Sequence, residues 1–160
     1  MRNSKMKGFT LIELIVVIAI IGVLAAILVP SMIGYVGQSK LSTANANAKL
    51  AFTNTATFCT KCEVEGNPCS SGTGLSSYGL ATTTPAQMTA SDYNGTQAGL
   101  KKALDALMGG APNAGVVSVA VSNDGAPTDA KWAKTSADMY VGGYPTAASA
   151  KKGQTGGLSL

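Results

Sequence analysis

The chain has 160 residues, of which 46% are hydrophobic and only 12% charged, with 19 glycines, three cysteines, no histidine and a formal net charge of +4. Without histidine it cannot build a Ser-His-Asp or Cys-His nucleophilic centre of its own, and three cysteines fall short of the four ligands of a structural zinc site. A chain of this length supports one small core rather than two.

Residues 1–8 form a short basic leader carrying Arg2, Lys5 and Lys7. Gly8-Phe9-Thr10-Leu11-Ile12-Glu13 follows, then an apolar run from Leu14 to Val29 that ends at Pro30. No charged side chain occurs among the 26 residues between Glu13 and Lys40. At ~1.5 Å per residue, the apolar run crosses most of the roughly 30 Å of a bilayer's hydrocarbon layer. The lysines and arginine ahead of it read as a topology signal that would hold the N-terminus in the cytoplasm. A secretory signal would place a small-residue cleavage site after the apolar run. Ala25-Ala26-Ile27-Leu28-Val29-Pro30 is a poor one, and the border between charged and apolar sequence falls instead at Gly8–Phe9. Loss of residues 1–8 would leave nine basic residues against eight acidic ones.

Over Lys7-Gly8-Phe9-Thr10-Leu11-Ile12-Glu13-Leu14-Ile15-Val16-Val17-Ile18 and on to Pro30, the chain resembles the type IV pilin-like family. The resemblance implies cleavage between Gly8 and Phe9, retention of the apolar helix, and N-methylation of Phe9. It also implies that Glu13 neutralises the Phe9 amine of an adjacent protomer during assembly. A new α-amino group, with an unperturbed pKa of ~7.7–8.0, would be mostly charged at neutral pH. The plainer reading of Glu13 is an interfacial carboxylate near the positive end of a helix. Pro30 removes one helical hydrogen bond and crowds the carbonyl of Ala26, and Gly22, Gly34 and Gly37 weaken the same helix. A kinked membrane helix is one expectation; the resemblance adds local extension around Pro30 within a filament.

Beyond Pro30 the helical pattern continues to about Cys59, as a single helix roughly 75 Å long. Leu41, Ala44, Ala48, Ala51, Phe52, Thr55 and Cys59 fall on one stripe at the 3.6-residue period. Ala46 and Leu50 lie opposite, on a side that would meet neighbouring subunits in a filament. Thr84-Pro85 predicts the start of a short helix. Leu100, Ala103, Leu104, Leu107 and Met108, stopped by Gly109-Gly110, predict another. Val117, Val119 and Val121 alternate as in a half-buried strand, and Asn123-Asp124-Gly125 is a hairpin signal. A return strand is expected within 131–141, with Ala137, Met139 and Val141 on one face, and a short strand at 78–81. The fold expected is α+β: a long N-terminal helix whose second half packs against a small antiparallel sheet. The boundaries are leader 1–8, membrane or filament-core helix 9–36, globular head 37–146, and a Gly/Ser/Lys-rich flexible tail 147–160.

Cys59-Thr60-Lys61-Cys62 has CxxC spacing, with Cys69 close by. A disulfide of Cys69 with Cys59 or Cys62 is the expectation for an exported domain; the odd count also admits a fully reduced trio. The acid pairs Glu63/Glu65 and Asp124/Asp129 read as solvated loop carboxylates, and Asn123, Asp124 and Asp129 match no calcium-loop spacing. Lys101-Lys102, Lys131/Lys134 and Lys151-Lys152 could contact phosphate, yet scattered lysines are more often solvated surface. Trp132, Tyr140 and Tyr144 read first as core and turn residues and second as an adhesive patch.

No enzyme activity, metal or cofactor is expected. The resemblance implies a structural subunit of a type IV pilus, held in the inner membrane before assembly and extracellular afterwards. Its implied partners are copies of itself, a prepilin peptidase/methylase, an assembly ATPase and a membrane platform protein. The alternatives are a type II secretion pseudopilin, a DNA-uptake pilin, or a minor pilin whose head binds polysaccharide.

Overall fold

The computed structural model describes residues 8–81, 87–110 and 114–160. The Thr84-Pro85 helix start and leader residues Arg2, Lys5 and Lys7 lie outside that set. The chain divides into two compact units, Met1–Gln38 and Ser39–Leu160. Helix α1, Leu11–Val64, runs through both.

In the first unit, α1 is apolar on all sides, and among the described residues none of that unit covers it. In the second, α1 is amphipathic, and Leu41, Ala44, Ala48, Ala51, Thr55, Phe58, Cys59 and Cys62 are buried. The expected stripe is therefore present, with Phe52 at its half-buried edge and Phe58 and Cys62 added to it. The helix runs five residues past the expected end. Its stop is Gly66, at φ 79°. There the Asn67 N–H donates to the Cys62 carbonyl at 2.8 Å and the Gly66 N–H to the Glu63 carbonyl at 3.0 Å. This is the Schellman pattern, which needs a residue at ease in the left-handed region.

Four strands form an antiparallel meander in the order β1-β2-β3-β4: Leu75–Gly79, Val116–Val121, Pro127–Ala133 and Gly142–Tyr144. Val117, Val119 and Val121 face inward as expected, because alternate side chains of a strand share a face. The β2–β3 hairpin turns at Asn123-Asp124-Gly125, with Gly125 at φ 78°. Two expectations need correction. The return strand begins at Pro127, four residues before the expected window, because pairing resumes as soon as the short turn closes. Ala130 and Trp132 are its inward residues, whereas Ala137 and Met139 lie beyond it and are exposed. The strand expected at 78–81 is β1, which starts at Leu75 and carries a bulge between Leu75 and Tyr78.

Helix α2, Gln97–Met108, is capped by Thr96, whose side chain accepts from the Gly99 N–H. It buries Leu100, Ala103 and Leu104 and leaves Leu107 exposed. One core results, with alanines on α1, valines on β2, the leucines of α2, Phe58 and Trp132. The small residues on α1 allow close approach. A side chain at Gly142 of β4 would run into the α1 backbone at Ala44.

Candidate functional site

The site nearest the recognisable motif is the start of α1. Thr10 precedes the helix and Glu13 sits in its first turn. The Glu13 carboxylate accepts from the Thr10 N–H at 2.8 Å and from the Thr10 hydroxyl at 2.7 Å. The Glu13 N–H in turn reaches the Thr10 hydroxyl oxygen at 3.4 Å. This reciprocal arrangement is a capping box, and it satisfies backbone donors that the first helical turn cannot pair internally. Charge alone does not mark Thr10, although T-x-x-E ahead of an apolar run is the signature of the cap. Phe9, one residue upstream, is 94% exposed.

From Leu11 to Val36 every large apolar side chain is exposed. Among the described residues α1 is the one helix long and apolar enough to cross a membrane. Pro30 lies inside the helix, and next to it the Ser31 hydroxyl donates to the Leu28 carbonyl at 2.8 Å. Ala46 and Leu50 are exposed opposite the buried stripe, as expected.

The cysteines converge at the other end of α1. Cys59 and Cys62 share a face of the helix, and the turn at Gly66-Asn67-Pro68 returns Cys69 to them. All three are buried free thiols within one core cluster. The Gly95 N–H also donates to the Cys62 sulfur at 3.4 Å. Burial pushes the Cys59 thiol pKa up, that of Cys62 to about 11 and that of Cys69 to about 12. These thiols are protonated at neutral pH, a poor state for nucleophilic work.

Two clamps in the head were not read from the sequence. Asn45, on α1, accepts from the N–H groups of Gly143 and Ala148, both at 3.0 Å, and donates to the Ala148 carbonyl at 2.9 Å. One amide thereby ties β4 and the start of the C-terminal segment to the helix. Asp105, on α2, accepts from the Tyr78 hydroxyl at 2.6 Å and from the Ala81 N–H at 2.7 Å. Desolvation, with Asp105 adding to it, raises the Tyr78 pKa to about 12.

Among the lysines considered for phosphate contact, Lys102 is paired with Asp92 at 2.6 Å and Lys131 with Asp129 at 3.8 Å. Trp132 is a core residue whose indole N–H donates to the Ala114 carbonyl at 3.0 Å. Tyr144 packs edge-on against Phe52, with ring centroids 4.9 Å apart.

Comparison with known proteins agrees with the geometry at the N-terminus. Residues 3–29 match the family model described as the prokaryotic N-terminal methylation motif. The chain is 48% identical over 56 residues to the type IV major pilin protein PilA of Myxococcus xanthus, covering 35% of this chain and 26% of that one. It is 38% identical over 86 residues to the type IV major fimbrial protein FimA of Dichelobacter nodosus, covering 50% of this chain and 52% of that one. The chain thus spans between a quarter and about half of the length of the curated relatives it matches. No solved structure matches it. The similarity to these pilins and fimbrial proteins lies where the apolar helix and its capped carboxylate stand. More particularly, the N-terminal region matches the prokaryotic N-terminal methylation motif.

Proposed function

We propose that this chain is the structural subunit of a type IV pilus. The observation that carries the reading is the contrast within α1. Every large apolar side chain over Leu11–Val36 is exposed, whereas the part beyond Gln38 helps bury a complete core. Such a surface is compatible with lipid or with copies of itself. Packing among like helices can then replace solvation by the bilayer when subunits assemble.

In this reading residues 9–36 anchor the precursor in the cytoplasmic membrane, with the N-terminus on the cytoplasmic side. A prepilin peptidase/methylase cuts between Gly8 and Phe9 and methylates the new Phe9 amine. That amine pairs with Glu13 of a neighbouring subunit, and the segment around Pro30 yields as the helices pack. An assembly ATPase and a membrane platform protein drive the addition. The subunit itself performs no catalysis. In the exported head, Cys69 closes a disulfide with Cys59 or Cys62.

Electron microscopy of sheared surface material, with mass spectrometry of its N-terminus, tests this reading. The expected result is fibres whose subunit begins at methylated Phe9. A mature subunit that begins beyond Val36, or that retains residues 1–8, overturns it.

A further inference from the structure

Each tyrosine outside the apolar part of α1 carries a lysine ammonium over its ring: Lys101 on Tyr78, Lys61 on Tyr93 and Lys49 on Tyr144. Tyr140 differs in carrying two, Lys40 at 5.6 Å and Lys151 at 5.3 Å from the ring centroid. Two ammonium groups on one ring repel each other, and the negative face of the ring offsets only part of that. Lys134 adds a third cation, lining with Lys40, Trp132 and Tyr140 a groove of about 240 Å³. The acid in that groove is Asp138, whose carboxylate accepts from the Tyr140 N–H at 3.0 Å. Among the described residues the ion pairs engage Lys102 and Lys131, and none engages Lys40, Lys134 or Lys151. The groove therefore gathers more positive charge than it neutralises.

Its place along the chain says what could supply the missing charge. The 26 residues from Leu14 to Ser39 carry no charge. As helix they rise roughly 39 Å, close to the ~40–45 Å of a bilayer including its headgroups. With residues 9–36 embedded, Lys40 is the first charge to emerge, at headgroup level. Lys134 lines the groove with Lys40, and Lys151 stands with Lys40 over the Tyr140 ring, so both gather about that first charge.

We propose that the groove lined by Lys40, Lys134 and Tyr140, with Lys151 over the Tyr140 ring, docks the anionic phospholipid headgroups of the membrane that holds the helix. Phosphate supplies the negative charge that the groove lacks. Tyrosine is favoured at this depth because its ring and hydroxyl suit the two sides of the interface. The inference rests on the membrane-anchored reading of residues 9–36 and goes beyond it to the lipid that the head selects.

The test uses the full chain reconstituted in phosphatidylcholine bilayers. Acyl-chain spin-labelled phosphatidylglycerol or phosphatidylcholine is added as the probe. Electron paramagnetic resonance separates lipid held at the protein from free lipid and so yields the relative association of the two. One lysine near an anionic surface is worth roughly fivefold in affinity. The preference for phosphatidylglycerol is expected to fall at least threefold in K40Q/K134Q/K151Q. It should stay near the parent value in K49Q/K61Q/K101Q, which removes equal charge elsewhere on the head. Arg2, Lys5 and Lys7 contribute alike to all three chains. Raising sodium chloride from about 0.1 to about 0.5 M should erase the difference between parent and triple variant. If the triple variant loses the near-ultraviolet signal of Trp132, K151Q alone, which leaves α1 untouched, should still lower the preference. Equal losses in the two triple variants, no loss in either, or a difference that survives salt overturns the proposal. Absence of held lipid of either kind would show instead that the helix is not embedded, and the proposal falls with that premise.

Discussion

Replacing Asn45 with alanine tests whether one side chain fastens the far strand to the helix. The change deletes the acceptor shared by the Gly143 and Ala148 N–H groups and the donor to the Ala148 carbonyl. Gly143 and Ala148 are buried while Asn45 is half-buried, so water reaches the vacated space only in part. An unsatisfied buried donor costs about 1–3 kcal/mol, and water access favours the lower half of that range, giving roughly 2–4 kcal/mol for the two together. For a head of this size that loss lowers Tm by roughly 8–15 °C. Thermal unfolding of the full chain in detergent, followed by near-ultraviolet circular dichroism of Trp132, reads the head without interference from the apolar helix. Asn45→Asp keeps an acceptor for both N–H groups but turns its second oxygen on the Ala148 carbonyl, which repels it, so its Tm should fall too, though by less than that of the alanine variant. Hydrogen exchange at Gly143 and Ala148 should quicken selectively in the alanine variant. A Tm drop below about 3 °C, or equal drops for alanine and aspartate, would refute the clamp.

Leu50→Asp should leave the Tm of the head unchanged within about 1 °C while abolishing fibres in electron micrographs, because Leu50 is exposed and points away from the core; normal fibres would remove that face from the assembly. The Lys102 ammonium and the Thr89 hydroxyl and N–H beside Asp92 lower its pKa to about 2. A lowered carboxylate pKa stabilises the fold above the unfolded value of ~3.9 and loses that contribution as pH falls. Acid titration should therefore show a loss of stability between about pH 4 and pH 2. Lys102→Gln should shrink that loss, as measured by Tm against pH. In the reduced protein, raised thiol pKa values predict slow alkylation at pH 8 and a steep rise above pH 11. Labelling of exported, denatured protein without reductant should modify one thiol, and labelling after reduction should modify three. Three modified thiols in both conditions would exclude the disulfide.

The long helix was legible because its two halves follow different patterns: uniform apolarity up to Val29, then a stripe from Leu41 that only a helical period satisfies. The valines of β2 were legible for the same reason at period two. The return strand was misplaced because Ala130 and Trp132, with a lysine between them, look no more strand-like than Ala137, Met139 and Val141. What decides is how soon pairing resumes after the turn, which is a property of the hairpin and not of the strand's residues. Asn45 and Asp105 were invisible for another reason. Each is a polar residue on a helix, indistinguishable from solvated surface until residues about a hundred and about two dozen positions away, respectively, are brought to it. Glu13 was singled out from its charge, but Thr10 was passed over although both halves of the capping box lie within four residues.

The loop between Thr10 and Glu13 means that an acid waiting in lipid is not idle. Both of its contacts with its own chain fall on one oxygen, Oε2, and the other carries neither of them. In the proposed fibre a newcomer's amine would therefore settle on Oε1 with the cap still closed, so that keeping the rod's end wound and gripping the next copy would not compete.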